Sequence, residues 1–361
     1  MHPFFSIIVP CCEVEPYVRE CLDSVLSQPF QNWECLIGVE ASKDRTEEIV
    51  REYAAKDSRF KMFTGPRSGS CSASRNKGID MATGDYVIFL DGDDWIAEDS
   101  LQALHDKITA RPGADIYPCA MQIHDETIPS AKTVLRHDNF SNVSAEMNGI
   151  DATLFHHGML GMTPNVMLQL NIYRREFLCS NHLKCIYGLR AQDMEFTPRA
   201  TYLAKRVIPL HDSFYNYRIR TTSIQRTKKQ YSFYEHYATI IRSLLSFYKD
   251  VSKTDGFDKR VANEWAHSWI ARIDFEWFFP KHVKEIPRQR RLETLQLVFS
   301  NGFEAFDDLL RYASPWTKLK GLLIRAFVKH PALRKLTELF FLVHLSLRNL
   351  RHPQINSSYI L

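Results

Sequence analysis

The stretch Phe89 to Trp95 reads FLDGDDW and follows GDYVI, so three carboxylates, Asp91, Asp93 and Asp94, stand at the mouth of an apolar strand, Tyr86 to Leu90. Two chemistries suit such a stretch. Asp and Gly build turns whose charge solvent absorbs. Alternatively, Mg2+ and Mn2+ take hard oxygen ligands, usually one or two carboxylates plus the phosphates of a substrate. Asp91 and Asp93 would then share the ion, with Gly92 letting the backbone turn closely. Taken alone, the short acidic motif favours the turn. A second candidate is Asp193, in GLRAQDMEFTPRATYLA. An Asp before Glu195 and an aromatic residue reads as a helix N-cap, and a carboxylate there can also take a proton from a hydroxyl. Arg75, in SRNKG, reads evenly as a phosphate-reaching group or a structural ion pair.

The elements that must position these groups alternate. Apolar FFSIIVP precedes helical EPYVRECLDSVLSQ, apolar WECLIGV precedes DRTEEIVREYAAKD, and RFKMFT precedes SCSASRNKGIDMA and the strand ending in carboxylates. In the first helical stretch Val18, Cys21, Leu22, Val25 and Leu26 recur three and four apart and predict one apolar face. Such units predict an α/β architecture with a mostly parallel sheet and helices on both faces. Ligands of such sheets bind outside the carboxyl ends of the strands, where Asp91 to Asp94 fall. ADIYPCAMQI predicts another strand, and the polar stretch from Asp125 to Gly149 a hairpin or loop. From Gln225 onward the periods are helical, which places a boundary between residues 1–224 and 225–361.

Bulk properties exclude several classes. The chain has 361 residues, 45% apolar and 24% charged, as in ordinary globular proteins. A net charge of +4 gives no argument for a nucleic-acid partner. The eight cysteines form no CxxC pair and read as reduced thiols of a cytosolic protein. CSNHLKC, with Cys179, His182 and Cys185, fits no common zinc spacing. MHPFFSIIVP lacks a basic flank and predicts a first strand, not a signal peptide. No apolar run approaches the length of about 18 residues that a bilayer span needs.

Taken together, FSIIVP, YVRECLDSVLSQ, SASRNKGIDMATGDYVIFLDGDDW and QDMEF resemble the family 2 glycosyltransferases over roughly residues 4–225. The resemblance implies the GT-A fold, Rossmann-like, in a catalytic domain followed by a helical C-terminal domain. It implies transfer of a sugar, with inversion, from a nucleotide-sugar donor to a glycan or lipid-linked glycan acceptor in surface polysaccharide biosynthesis. It also implies Mn2+ or Mg2+ as cofactor. Asp91 would face the donor ribose or sugar and Asp93 the metal bridging the two phosphates. Asp94 would support the loop, Pro10 and Glu40 would line the nucleoside pocket, and Arg75 would reach a phosphate or the acidic loop. Asp193, where relatives have Glu-Asp in place of Gln192-Asp193, would be the general base, a role compatible with capping.

A carboxylate at Glu40 can accept from the N3–H of uracil or the N1–H of guanine but not from the bare N3 of cytosine, which favours a UDP-sugar. Relatives usually have Asp there. Other departures are Cys12 and Glu13 in PCCEVE, where an Asn and an aromatic are usual, and Arg220 in NYRIRTTSI, where many relatives have a metal-binding His. Arg220 cannot ligate a metal but can clamp phosphate; His211 is a substitute ligand to consider. The departures keep open a catalytically inactive relative that binds nucleotide or glycan as an assembly module. A nucleotidyltransferase is disfavoured because no Gly-rich phosphate loop follows the first strand.

Between Ser314 and His352 stand eight Lys or Arg against one acid, Glu338. Trp316, Leu319, Leu322, Leu323 and Phe327 are read as one apolar face, with Lys318, Lys320, Arg325 and Lys329 on the other sides. Such helices lie on anionic membranes, which predicts a cytoplasmic protein held peripherally at the inner face of the cell membrane. Packing on the catalytic domain or on a second subunit is the alternative, with an oligomer as its consequence.

Overall fold

Strand β1 (Phe5–Cys11) is Ile- and Val-rich and buried along its whole length, as is β2 (Trp33–Glu40). Continuous burial marks central parallel strands covered on both faces. The computed structural model describes residues 2–127, 134–138, 140, 143, 145–158, 167–220, 231–278 and 287–351. The chain divides into two compact units, Met1–Thr153 with Asn165–Ser223, and Leu154–Pro164 with Ile224–Leu361.

In the first unit β3 (Phe60–Gly65) and β4 (Tyr86–Phe89) join β1 and β2 in a parallel array of order β3-β2-β1-β4. Successive side chains point to opposite faces. Ile7, Val9, Cys35 and Ile37 enter one core with Val18 and Leu22 of α1 (Glu15–Leu26), Ile49 and Val50 of α2 (Thr46–Lys56), and Leu101 and Leu104 of α4 (Ser100–Ala110). Ile8, Leu36, Val87 and Phe89 enter the other with Ile79 of α3 (Ser72–Met81), Phe177 of α6 (Arg175–Ser180) and Phe196 of α7 (Asp193–Leu203). Helices therefore cover both faces, as expected. Leu26 departs from the predicted apolar face of α1, being exposed at its last turn.

Two features go beyond the expected parallel sheet. Strand β9 (Asn171–Arg174) runs antiparallel to β4 and to β6 (Ile116–Pro118), making the main sheet mixed and six-stranded. A second sheet, of order β5-β10-β7-β8, holds β5 (Trp95–Ile96), β10 (Ser213–Ile219), β7 (Ala120–Asp125) and β8 (Val134–Asp138). Its β7 and β8 form the hairpin expected around Asp125.

The second unit is helical among its described residues, with α8 (Tyr231–Val251) and α9 (Lys259–Phe278) followed by helices Arg288–Val298, Glu304–Tyr312, Pro315–Lys329 and Arg334–Arg351. Its core contains Tyr248, Trp265, Trp277, Leu309, Ile324, Phe327 and Phe341. Buried Glu338 binds Arg288 and Arg291 at 2.5 Å each, pinning the last helix to an earlier one. The apolar face predicted for Pro315–Lys329 is not the one the fold buries. The buried set is Thr317, Lys320, Gly321, Ile324, Phe327 and Val328, while Trp316, Leu319 and Leu322 face outward. Gly321 lies on that buried face in close approach to a neighbour, where a Cβ would stand 2.5 Å from Leu310 Cδ2.

Candidate active site

The carboxyl ends of β3, β2, β1 and β4 lie side by side, with Glu40 opposite Gly65 and Pro10 opposite Gly38. They gather the loop after Gly65, Glu40, Pro10 and, one residue beyond Leu90, Asp91. The β4 register continues through Leu90 N–H, which donates to the Ile8 carbonyl at 3.0 Å. The acidic turn then requires Gly92, since a Cβ there would meet Cys11 Sγ at 2.8 Å and the Pro10 carbonyl oxygen at 3.2 Å.

Each carboxylate of the acidic turn has its own partners. Asp91 accepts from Arg75 Nη2 at 2.5 Å and from Gln169 Nε2 at 2.6 Å. Arg75 is buried, on the first turns of α3. Asp93 accepts from Arg220 Nη2 at 2.6 Å, its side chain 25% exposed. Asp94 is buried and accepts from the Tyr215 hydroxyl at 2.5 Å and the Arg218 backbone N–H at 2.8 Å, tying the turn to β10. Arg218 also binds Glu20 and Glu126, donates through Nε to the Asp93 carbonyl at 2.9 Å, and stacks over Trp95 at 4.6 Å. The Arg220 guanidinium lies 4.9 Å from the ring centre of Tyr17.

Burial and the neighbouring Asp91 charge raise the Asp93 carboxyl above its ordinary value, against the pull of Arg220. Burial, then Asp93 and Asp91, push Asp94 well up. Burial also raises Asp193, with Arg75 as the main opposing charge and Asp91 adding to the rise. Asp193 is the first residue of α7; Gln192 occupies the cap position and makes no side-chain capping bond. The Gln192 Oε1 and Gln169 Oε1 acceptors are buried without a donor among the described residues. Asp193 and Asp91 thus share the field of Arg75, and the structure brings the expected site residues to one end of the sheet.

Glu40 is buried and accepts from both the backbone N–H and the hydroxyl of Ser68, at 2.8 and 2.6 Å. Glu13, with φ of 52°, forms a two-pronged ion pair with Arg67 at 2.6 and 2.8 Å, joining the loops after β1 and β3. Of the two loops to which the sequence assigns the choice of donor sugar, 65–70 and 159–165, the second lies outside the described residues. His211 binds the Val143 carbonyl through its ring at 2.8 Å. Among the described residues no three His, Cys, Asp or Glu side chains converge as a metal cage. Sequence reasoning missed Gln169, Tyr215, Arg218 and Tyr17. Only Arg218 carried a signal, as an Arg flanked by aromatic and β-branched residues in a strand pattern.

Comparison with known proteins agrees with the geometry. Residues 6–162 match the model of Glycosyl transferase family 2. The chain is 28% identical over 221 residues to glycosyltransferase GlyA of Streptococcus pneumoniae, a match covering 61% of this chain and 31% of that protein. It is 28% identical over 253 residues to the uncharacterised glycosyltransferase EpsJ of Bacillus subtilis, covering 69% and 70%. Among solved structures it is similar to Staphylococcus aureus TarS 1–349 in complex with UDP-GlcNAc, with a TM-score of 0.66, 18% identity, and 97% and 92% of the two chains covered. With its acidic turn, its parallel sheet and these matches in accord, the chain resembles the family 2 glycosyltransferases over residues 6–162 and has the GT-A fold of the TarS structures.

Proposed function

We propose that residues 1–224 form a catalytic domain that transfers a sugar, with inversion, from a UDP-sugar to a hydroxyl of a glycan or lipid-linked glycan. Surface polysaccharide synthesis at the inner face of the cell membrane is the setting of this reading. The observation that carries it is the meeting of Glu40, Pro10, Asp91, Asp93 and Arg75 at adjacent strand ends, with Asp193 in the same electrostatic field. TarS, whose structures hold UDP and UDP-GlcNAc, supports the choice of nucleotide.

Asp193 takes the proton of the acceptor hydroxyl as it attacks the anomeric carbon. Its raised pKa strengthens it as a base. Asp91, with its oxygens bound by Arg75 and Gln169, is oriented toward donor hydroxyls rather than toward a metal. Asp93 is partly exposed, as Asp91 is, and one carboxylate plus diphosphate oxygens is a common way to hold Mg2+ or Mn2+. The residues therefore fit that ion, which when bound supplies Lewis-acid stabilisation of the departing nucleoside diphosphate. Arg220 exchanges Asp93 for a phosphate oxygen, a planar donor suited to either partner. Glu40 accepts the uracil N3–H on releasing Ser68.

Thermal stabilisation screened with UDP-, GDP- and dTDP-sugars in Mn2+ tests the donor, with UDP-sugars expected to stabilise most. Asp93→Ala is expected to lose metal-dependent UDP binding while folding normally; calorimetry giving unchanged affinity removes the metal assignment. The Arg220 ion pair that already satisfies Asp93 and the Ser68 hydrogen bonds that already satisfy Glu40 also suit an inactive binding module. Absence of both transfer and donor hydrolysis across the panel, with UDP binding retained, decides for that module.

A further inference from the structure

Among the described residues nine large apolar side chains are exposed, and seven of them lie between Trp316 and Val343. Scattered exposed apolar residues are ordinary, but a concentrated group marks an interaction surface. Trp316, Leu319 and Leu322 recur three apart on helix Pro315–Lys329, and Leu336, Leu339 and Val343 recur three and four apart on Arg334–Arg351. Each set lies on one face of its helix. Opposite faces supply Ile324, Phe327 and Phe341 to the core. The short connection through Pro331–Leu333 turns the second helix back on the first. The Trp316 ring meets Phe340 and His344 at centroid distances of 5.7 and 5.3 Å, so the two outward faces adjoin.

Charge decides what covers this surface. Lys318, Lys329 and Lys335 are exposed beside it. The sole acid from Ser314 to His352 is Glu338, which is buried and held by Arg288 and Arg291. A symmetric contact with a second copy would set these lysines against their own equivalents, with no carboxylate of the segment between them. An anionic lipid surface instead offers negative headgroups to the lysines and an apolar layer beneath for the leucines. No described helix is long and apolar enough to cross a membrane, so the pair would lie in the interface plane.

We propose that this two-helix face docks on an anionic lipid bilayer, with Trp316, Leu319, Leu322, Leu336 and Leu339 below the headgroups and Lys318, Lys329 and Lys335 among them. The proposal is independent of the transfer reaction. The full chain is tested by co-sedimentation with phosphatidylcholine vesicles containing phosphatidylglycerol, and with phosphatidylcholine alone. Binding is expected with the anionic vesicles and is expected to weaken with salt. Lys318→Gln, Lys329→Gln and Lys335→Gln are each expected to weaken it by about five-fold. Leu336→Asn with Leu339→Asn is expected to abolish it without changing the melting temperature, since both side chains are exposed. Brominated lipids are expected to quench tryptophan fluorescence in the wild type, and Trp316→Phe to remove that quenching. Failure of the wild type to bind anionic vesicles, or wild-type binding by the leucine variant, overturns the proposal. A wild-type dimer that ignores vesicles and is split by Leu336→Asp assigns the face to protein association instead.

Discussion

The two ends of the parallel sheet treat buried carboxylates in opposite ways. At the amino ends, Glu34 accepts from the Ser6 hydroxyl at 2.6 Å, Lys61 at 2.7 Å, and the Thr83 N–H and hydroxyl at 2.7 and 2.8 Å. Burial alone would raise its pKa, yet these donors bring it down to about 2. At the carboxyl ends burial prevails: Asp93, Asp94 and Asp193 are all raised, and Asp91 adds to each rise. The contrast lies in donor number against carboxylate crowding. One end is arranged for stability. The other holds acids close together, an arrangement that a cationic or proton-bearing ligand relieves.

Neutralising one acid at each end gives the largest effects. Asp193→Asn keeps the shape of the first turn of α7 and removes the basicity, so sugar transfer is expected to fall by roughly two to four orders of magnitude. Donor affinity, measured by calorimetry, is expected to stay within two-fold. A variant retaining wild-type turnover would remove Asp193 from the reaction. Glu34→Ala should do the reverse, sparing donor binding and costing stability. A carboxyl moved from about 4.5 to about 2 contributes on the order of 3 kcal/mol. Its pKa is depressed, so this contribution is present above the unfolded value and is lost as pH falls toward about 2. Urea unfolding at pH 7 and pH 3 checks both statements; a loss that is equal at the two pH values would assign the effect to packing.

The same contrast explains which parts were legible in the sequence. Central strands announce themselves because burial on both faces leaves β1 and β2 polar only at Ser6, Glu34 and Glu40, near their ends, and FLDGDDW places its chemistry within one turn. The partners that fix that chemistry are remote. Gln169 reaches Asp91 across 78 positions and Tyr215 reaches Asp94 across 121, and nothing local in either segment names its target. The second sheet was hidden for the same reason: β10 runs beside β7 and β5, both far earlier in the chain. In Pro315–Lys329 the period was readable and the face was not. Leucines suit either side of that helix, and the buried face, with Gly321 close against Leu310, is set by packing partners that the local sequence does not name.

A smaller effect is expected at Asp94, where stability is followed against pH. Asp94 is buried, and its raised pKa means that the folded chain binds the proton more tightly than the unfolded chain does. Its contribution to stability is therefore fully present below the unfolded value, near 4, and is lost as pH rises through the raised folded value. Asn at this position keeps one hydrogen bond, its carbonyl accepting the Arg218 N–H, and reverses the other, its amide donating to the Tyr215 hydroxyl oxygen as the protonated carboxyl would. Asp94→Asn is then expected to match the wild type in acid and to exceed it increasingly toward neutral pH. The stability difference between the two proteins, followed by urea unfolding from pH 4 to pH 8 without metal or nucleotide, reads Asp94 together with its coupling to Asp93 and Asp91. A difference that stays flat with pH would mean that Asp94 is no more strained in the fold than out of it, and the contrast between the sheet ends would then rest on Asp93 and Asp193 alone.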